Sequence, residues 1–271
     1  MSSAPPSSPS SSTPAEQHGA GGDVDDAQPW ALRGEGLSKR YGDVHALKQA
    51  TLGVRRGEVV ALIGPNGAGK STLLSCLAGL LVPDDGHASI LGVPSATKGG
   101  KARQQLGFLS GSTALYGKLT VREVLRFFGG LHGLSDDDLD RRVATVVDEL
   151  GLHELQDRRC DGLSSGQSQR VNLARAMVHD PAVLILDEPT NALDVMSQQF
   201  VLDAVQKARA EHRAVLFSSH VMGEVEAVAD RVVLLTGGRI VLRGTLDEVN
   251  ARADGRGLGH LIASLDDGEA P

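Results

Sequence analysis

The chain has 271 residues, 41% of them hydrophobic, with a formal net charge of −7. That length supplies material for a large buried core, and the acidic balance argues against a nucleic-acid partner, which calls for a basic face. Cys76 and Cys160 are the two cysteines, far apart and in no metal-ligand spacing, so neither a disulfide nor a zinc framework is expected and both read as small buried hydrophobes.

Residues 1–30 are rich in serine, proline and glycine, with no Lys or Arg and no hydrophobic block. They fit neither a signal nor a transit peptide, and such a composition predicts a disordered tail. The C-terminal piece 251–271, ending "DDGEAP", reads as a second loose tail. No segment approaches the ~18 consecutive apolar residues that cross a bilayer. Between 31 and 250 no internal repeat is visible.

"EVVALIG" (58–64) predicts a strand buried on both faces, closed by glycine and proline. "GPNGAGKST" (64–72) follows and matches G-x-x-x-x-G-K-[ST] through Gly64, Gly69, Lys70 and Ser71. Its chemistry is specific. The glycines let backbone N–H groups converge on phosphate oxygens, and the following helix adds positive potential at its N-terminus. Lys70 brings a point charge to the β- and γ-phosphates, and Ser71 offers a hydroxyl to magnesium. In the next helix Leu73, Leu77 and Leu80 share one face, with Pro83 as the stop.

From 117 to 180 strand patterns give way to helices. "TVREVLRFFGGL" opens on a capping box, Thr120 and Glu123; "SDDDLDRRVATVVDELG" is capped by Ser135 and stops at Gly151. "LSSGQSQR" (163–170) then starts a helix in which Val171, Ala174, Met177 and Val178 mark the apolar side. Ser164 or Ser165 can serve as its N-cap. This helix start belongs to the helical insert, away from the sheet edge carrying the phosphate loop. Any phosphate it binds is therefore expected to be held by another copy of the chain.

"AVLILDEPT" ends a buried strand on Asp187 and Glu188. One carboxylate suits the magnesium shell; the other, turned the opposite way by strand alternation, suits a general base toward water. In the P-loop pattern the first acidic residue reaches Mg²⁺ with the loop serine. "AVLFSSH" ends the next strand on His220, where an imidazole can donate to a γ-phosphate oxygen. "RVVLLTGGRIVLRG" is a hairpin signal around Gly237 and Gly238. Several buried strands flanked by helices predict an α/β fold with a mostly parallel sheet.

These motifs together resemble the nucleotide-binding domains of ATP-binding cassette (ABC) transporters, over residues 31–250. "GPNGAGKST" is similar to the Walker A loop, "LSSGQSQR" to the signature motif, and "LILDEPT" to the Walker B strand. "NALD" (191–194) looks like the D-loop, "SSH" like the H-loop, and "RYGD" with Tyr41 like the aromatic A-loop that stacks on adenine. The resemblance implies the ABC ATPase fold, a P-loop NTPase core with N-terminal antiparallel strands and a helical subdomain at about 117–180. It implies ATP hydrolysis with Mg²⁺, the nucleotide held by Tyr41 and by Gly64, Pro65, Asn66, Gly67, Ala68, Gly69, Lys70, Ser71 and Thr72. Ser71 and Asp187 would hold the metal; Glu188 and His220 would carry the catalysis. It further implies a head-to-tail pair of cassettes, most simply a homodimer. There Ser164, Ser165, Gly166 and Gln167 of one copy would close on the ATP of the other, beside Asp194. The partner would be a separate transmembrane permease, with export the expected direction and the inner face of the cell membrane the expected place.

Two positions depart from the family pattern. Ser165 stands where the signature has its first glycine, and Gly111 stands where the Q-loop has a glutamine, with Ser110 and Ser112 as possible stand-ins. "LGFLSGSTALYGKLT" (106–120) also resembles the cassettes of sodium-extrusion and drug exporters. Two other classes were weighed. A soluble DNA-repair or translation ATPase would call for a coiled coil, zinc cysteines or tandem cassettes, and an unrelated P-loop kinase or GTPase would leave 163–170 and His220 unexplained.

Overall fold

The computed structural model describes residues 29–97, 100–111 and 113–252. The two tail expectations fall mostly on residues outside that range, as does the expectation at Ser112. One correction falls inside it. Trp30, placed in the disordered tail by composition, opens the first strand, and its ring lies under the guanidinium groups of Arg33 and Arg55 at 4.7 and 4.4 Å.

The chain begins with two long strands, β1 (Trp30–Tyr41) and β2 (Val44–Arg55), paired antiparallel. Strand β3 (Val59–Ile63) leads into helix α1 (Lys70–Leu77), followed by β4 (Asp85–Ile90) and β5 (Val93–Pro94). Strand β6 (Leu106–Leu109) precedes the helices α2 (Val121–Leu131), α3 (Asp136–Glu149) and α4 (Ser165–Met177). The chain closes with β7 (Val183–Leu186), α5 (Val195–Ala210), β8 (Ala214–Ser218), α6 (Met222–Val228), β9 (Arg231–Thr236), β10 (Arg239–Thr245) and α7 (Leu246–Arg252).

Among the described residues these strands form two sheets. One is antiparallel in the order β2-β1-β4-β5; the other runs β10-β9-β3-β8-β7-β6 and is parallel except for the β9–β10 hairpin. Side-chain alternation splits the central sheet's residues between two apolar layers. Val59, Ala61 and Ile63 face the layer shared with α2, α3, α4 and α5, whereas Val60 and Leu62 face the layer shared with α1 and the antiparallel sheet. Both faces are covered, so β3, β7 and β8 are buried throughout.

The helix ends follow local chemistry. Thr120 and Glu123 make the reciprocal capping box, and Ser135 accepts from the Asp138 N–H ahead of three first-turn aspartates that favour the helix dipole. Helix α1 differs from the sequence expectation. It ends at Leu77 rather than running to Pro83, and Leu80 lies outside the apolar layer, 56% exposed. The cause is Gly79, whose φ of +67° closes a Schellman turn: the Leu80 N–H donates to Ser75 O and the Gly79 N–H to Cys76 O. A Cβ on Gly79 would stand 2.2 Å from the Ser95 carbonyl oxygen.

Gly79→Ala therefore meets both a left-handed backbone and a backbone collision. It is expected to destabilise the fold by at least ~1 kcal/mol, read as a lower midpoint in urea unfolding at an unchanged m-value.

Candidate functional site

The parallel strands β3, β6, β7 and β8 all deliver their carboxyl ends to one edge of the sheet, the edge where open α/β sheets bind ligands. The phosphate loop leaves β3 there, Gly111 follows β6, the paired carboxylates follow β7 and His220 follows β8.

Two loop glycines are required by space as well as by dihedral angle. A Cβ on Gly64 (φ +151°) would lie 2.1 Å from Leu235 O, and one on Gly69 (φ +104°) would lie 2.4 Å from Ala46 O. The loop is thus pressed between β9 and the start of β2, which follows Tyr41 in the chain. Tyr41 itself ends β1 with its ring exposed. Helix α1 begins at Lys70 with no side-chain cap and no acidic residue in its first turn, so its N-terminal N–H groups are suited to an anion. Asn66, Gly67 and Ser71 are exposed, Pro65 and Thr72 half-buried, and Ala68 buried. The Lys70 ammonium is 6% exposed and donates to Gly64 O (2.8 Å) and Pro65 O (3.2 Å).

The carboxylates are held differently from the strand alternation expected. Strand β7 ends at Leu186, and Glu188 has a left-handed φ of +46°, a conformation that a non-glycine residue keeps only under constraint. Ser218, at the end of β8, supplies that constraint. Its hydroxyl donates to Asp187 Oδ1 (2.7 Å) and accepts the Glu188 N–H (2.8 Å). The Asp187 N–H donates to Leu109 O on β6. Asp187 is buried, while the Glu188 carboxylate faces three groups: Lys70 Nζ at 3.7 Å, His220 Nδ1 at 3.8 Å and Asn191 Nδ2 at 3.3 Å. Lys70, Glu188 and His220 therefore converge. The motifs "SSH" and "NALD" contain Ser218 and Asn191 but give neither a role of its own; the signal for Ser218 is a hydroxyl inside the buried strand "AVLFS".

A divalent cation suits the oxygen donors of Ser71 and Asp187. Among the described residues no group of three His, Cys, Asp or Glu side chains forms a metal cage. Magnesium does not need one, because it retains waters and phosphate oxygens as ligands. Gly111, at the glutamine position of the Q-loop, has its backbone against the same site: a Cβ there would lie 3.2 Å from Asp187 O.

The second phosphate candidate stands apart. Ser164 is the N-cap of α4, and its hydroxyl accepts the Gln167 N–H (3.2 Å) while Gln167 Oε1 accepts the Ser164 N–H (3.1 Å). Ser164 and Ser165 are exposed, but Gly166 is buried against its own chain. A Cβ on Gly166 would lie 2.1 Å from Ser197 Oγ. That hydroxyl donates to Asp194, the N-cap of α5, whose carboxyl is held below the usual carboxylate range by the Ser197 N–H and then by this hydroxyl. The tips of α4 and α5 are thus joined. Among the described residues, none of 64–72 lines the cavity at the α4 tip.

A third feature is a groove of about 400 Å³ between the 106–116 segment, α2 and α4. Leu80, Phe108, Tyr116 and Phe128 give it an apolar wall, and among the described residues no acidic side chain lines it. The Arg175 guanidinium lies 4.9 Å over the Phe128 ring, and burial pushes its pKa down. At the base, His132 and His179 stack with centroids 3.5 Å apart. Burial first, and then the neighbouring His132, pull the His179 pKa down to about 4.

The ABC transporter family model matches residues 47–191. The ABC transporter ATP-binding protein NatA of Bacillus subtilis is 34% identical, spanning 84% of this chain and 94% of its own length. The linearmycin resistance ATP-binding protein LnrL of the same bacterium is also 34% identical, over 86% of this chain and 75% of its own. A solved ATP-binding subunit of an ABC transporter superposes with a TM-score of 0.79 at 32% identity, covering 87% of this chain and 99% of that one. The dimeric cassette MJ0796 superposes at 0.71 with 23% identity, a likeness of fold.

The His179 shift carries a pH dependence of definite sign. Above about pH 6.5 the ring is neutral in both folded and unfolded chains. As pH falls toward 4 only the unfolded chain takes up the proton, so stability is lost through that window. His179→Gln is expected to remove roughly 3 kcal/mol of that loss, measured by urea unfolding at pH 7 and pH 4.

Proposed function

The chain belongs to the ABC transporter family, whose ATP-binding subunits couple ATP hydrolysis to transport, and on that premise we propose how its own residues perform and direct that work. The observation that carries the reading is the convergence of Lys70, Glu188 and His220 around one carboxylate, at 3.7 and 3.8 Å. Lys70 and the loop N–H groups hold the β- and γ-phosphates, and Tyr41 stacks on the adenine. Ser71 and Asp187 hold Mg²⁺, which when bound neutralises phosphate charge. Glu188 takes the proton of the attacking water, and His220 donates to a γ-phosphate oxygen. Asn191 Nδ2 donates to Glu188 Oε2 at 3.3 Å and the Lys70 ammonium stands 3.7 Å from Oε1, so the two fix where the carboxylate points.

The ATP is closed in a head-to-tail homodimer by Ser164, Ser165, Gly166 and Gln167 of the second copy. The exposed hydroxyls of Ser164 and Ser165 at a helix N-terminus suit a γ-phosphate. The buried Gly166 acts less as a phosphate ligand than as the close-contact point joining this tip to Asp194. ATP binding on one copy is thereby tied to the D-loop of the other.

Among the described residues no helix is long and apolar enough to cross a membrane, and a separate permease supplies the membrane path. The groove of Tyr116, Phe128 and Arg175 is where a short cytoplasmic helix of that permease docks. Arg175, 9% exposed and with no acidic side chain among the described residues lining its groove, favours a helix that brings a carboxylate. Export is the direction favoured, since LnrL is named for antibiotic resistance and a relative from Neorhizobium galegae, 35% identical, is named a Nod factor export protein. The working unit spans Trp30 to Arg252, with 117–180 as its helical subdomain, seated on the inner face of the cell membrane.

Glu188→Gln is expected to bind ATP, to lower kcat by about 10³-fold or more, and to accumulate as an ATP-bound dimer in size-exclusion chromatography. A variant that stays monomeric with ATP and hydrolyses it normally overturns the base assignment. Lys70→Ala is expected to lose ATP binding in a fluorescent-nucleotide titration.

A further inference from the structure

We propose that Glu224 is a positioning residue of the hydrolytic site, clamping the loop that carries Glu188 to the loop that carries His220. The inference rests on the ATPase reading above and extends it to a side chain on α6.

Glu224 is 5% exposed, in the first turn of α6. One of its oxygens, Oε2, accepts two hydroxyls from two different loops: Thr190 Oγ1 at 2.8 Å and Ser219 Oγ at 2.7 Å. Thr190 lies two residues beyond Glu188, and Ser219 immediately precedes His220. Ser219 Oγ also accepts the Val221 N–H, so the hydroxyl braces the backbone on the far side of His220. This carboxylate oxygen therefore adds a second tie, beyond that of Ser218, between the two chain segments that present the base and the imidazole.

Three features separate this clamp from ordinary core packing. Glu188 keeps its left-handed backbone only because its surroundings over-determine it. Ser218 holds that residue from the amide side, and Thr190 anchors the outgoing chain. The Glu188–His220 approach depends on two loops that share no ladder hydrogen bond at this point. The other Glu224 oxygen, Oε1, is buried with no hydrogen-bond partner among the described residues. It belongs to a side chain lining a cavity of about 90 Å³ whose wall includes Glu188, Asn191 and His220. A buried carboxylate oxygen left unpaired is unfavourable for stability, and such groups recur at functional sites.

The chemistry of the clamp requires an acceptor able to take two O–H donors at one oxygen. Glutamine preserves that acceptor in its carbonyl, whereas alanine removes it. The test compares steady-state ATPase activity and nucleotide affinity of the full chain with Mg²⁺ in five variants: Glu224→Ala, Glu224→Gln, Thr190→Val, Ser219→Ala, and Thr190→Val combined with Glu224→Ala. Glu224→Ala is expected to lower kcat by about 10- to 100-fold, the scale of an ångström-sized misplacement, with KM for ATP and fluorescent-nucleotide Kd within about twofold of the parent. Glu224→Gln is expected to recover kcat to within about threefold. Thr190→Val and Ser219→Ala are expected to lose kcat in part. Thr190→Val added to Glu224→Ala is expected to cost nothing further, because the pair acts as one unit.

The proposal is overturned if Glu224→Ala keeps kcat within twofold, if its loss appears in KM and Kd instead, if glutamine fails as badly as alanine, or if the two losses add. Should Glu224→Ala fail to fold, Thr190→Val and Ser219→Ala decide the matter: a loss of kcat at unchanged KM supports the clamp, and kcat within twofold of the parent in both overturns it. A Glu188→Gln control that hydrolyses ATP normally would sink the ATPase assignment itself. A dead Glu188→Gln beside an undamaged Glu224→Ala sinks the clamp alone.

Discussion

The constraint on which this molecule depends is the parallel alignment of β3, β7 and β8. Strands running the same way and buried on both faces must release their polar chain ends at a shared edge. Lys70 and Glu188, 118 residues apart, and His220, 32 residues further on, meet there because the ladder register leaves no other place. The two apolar layers make that register rigid: a slip of one residue would exchange Val60 and Leu62 with Val59, Ala61 and Ile63 and set each against the wrong layer.

Close backbone approach is the second organising principle. Gly64, Gly69 and Gly166 each stand where a methyl group would collide with a neighbour, respectively Leu235 O, Ala46 O and Ser197 Oγ. The first two shape a cradle for phosphate. The third joins two helix tips, so the signature segment and the D-loop of one chain form a single rigid corner. An event that shifts the tip of α4 must carry Asp194 with it, because Gly166 packs on Ser197 and Ser197 donates to Asp194.

The site also stores strain in a recognisable place. Glu188 adopts a left-handed backbone between a buried aspartate and a proline, and hydroxyl groups rather than ladder hydrogen bonds restrain it. Ser218, Ser219 and Thr190 are small residues, each passing a hydrogen bond between loops. Hydroxyls suit that task because each both donates and accepts, as Ser218 does between Asp187 and Glu188. The electrostatic character is mixed by design: one ammonium, two carboxylates and a helix N-terminus sit within a few ångströms, a balance suited to a highly charged ligand rather than to an empty cleft.

Much of this was legible along the chain. The phosphate loop, the capping boxes at Thr120, the apolar strands and the Gly237–Gly238 hairpin are local patterns, and local patterns survive without knowledge of neighbours. The order of motifs was enough to point to the family, because spacing along a chain needs no third dimension. What stayed hidden depends on contacts between distant segments. Only glycine can end α1 at 79 because the Ser95 carbonyl leaves no room for a Cβ; Trp30 joins the fold because Arg33 of its own strand and Arg55 of β2 cover its ring. The left-handed Glu188, the Ser218 bridge, the burial of Gly166 and the paired hydroxyls on Glu224 exist only once β7, β8, α4, α5 and α6 are packed together. Sequence determined which groups the protein possesses and which segments carry them; tertiary packing alone decided which groups face one another, because hydrogen bonds and collisions are set by distance in space rather than by separation along the chain.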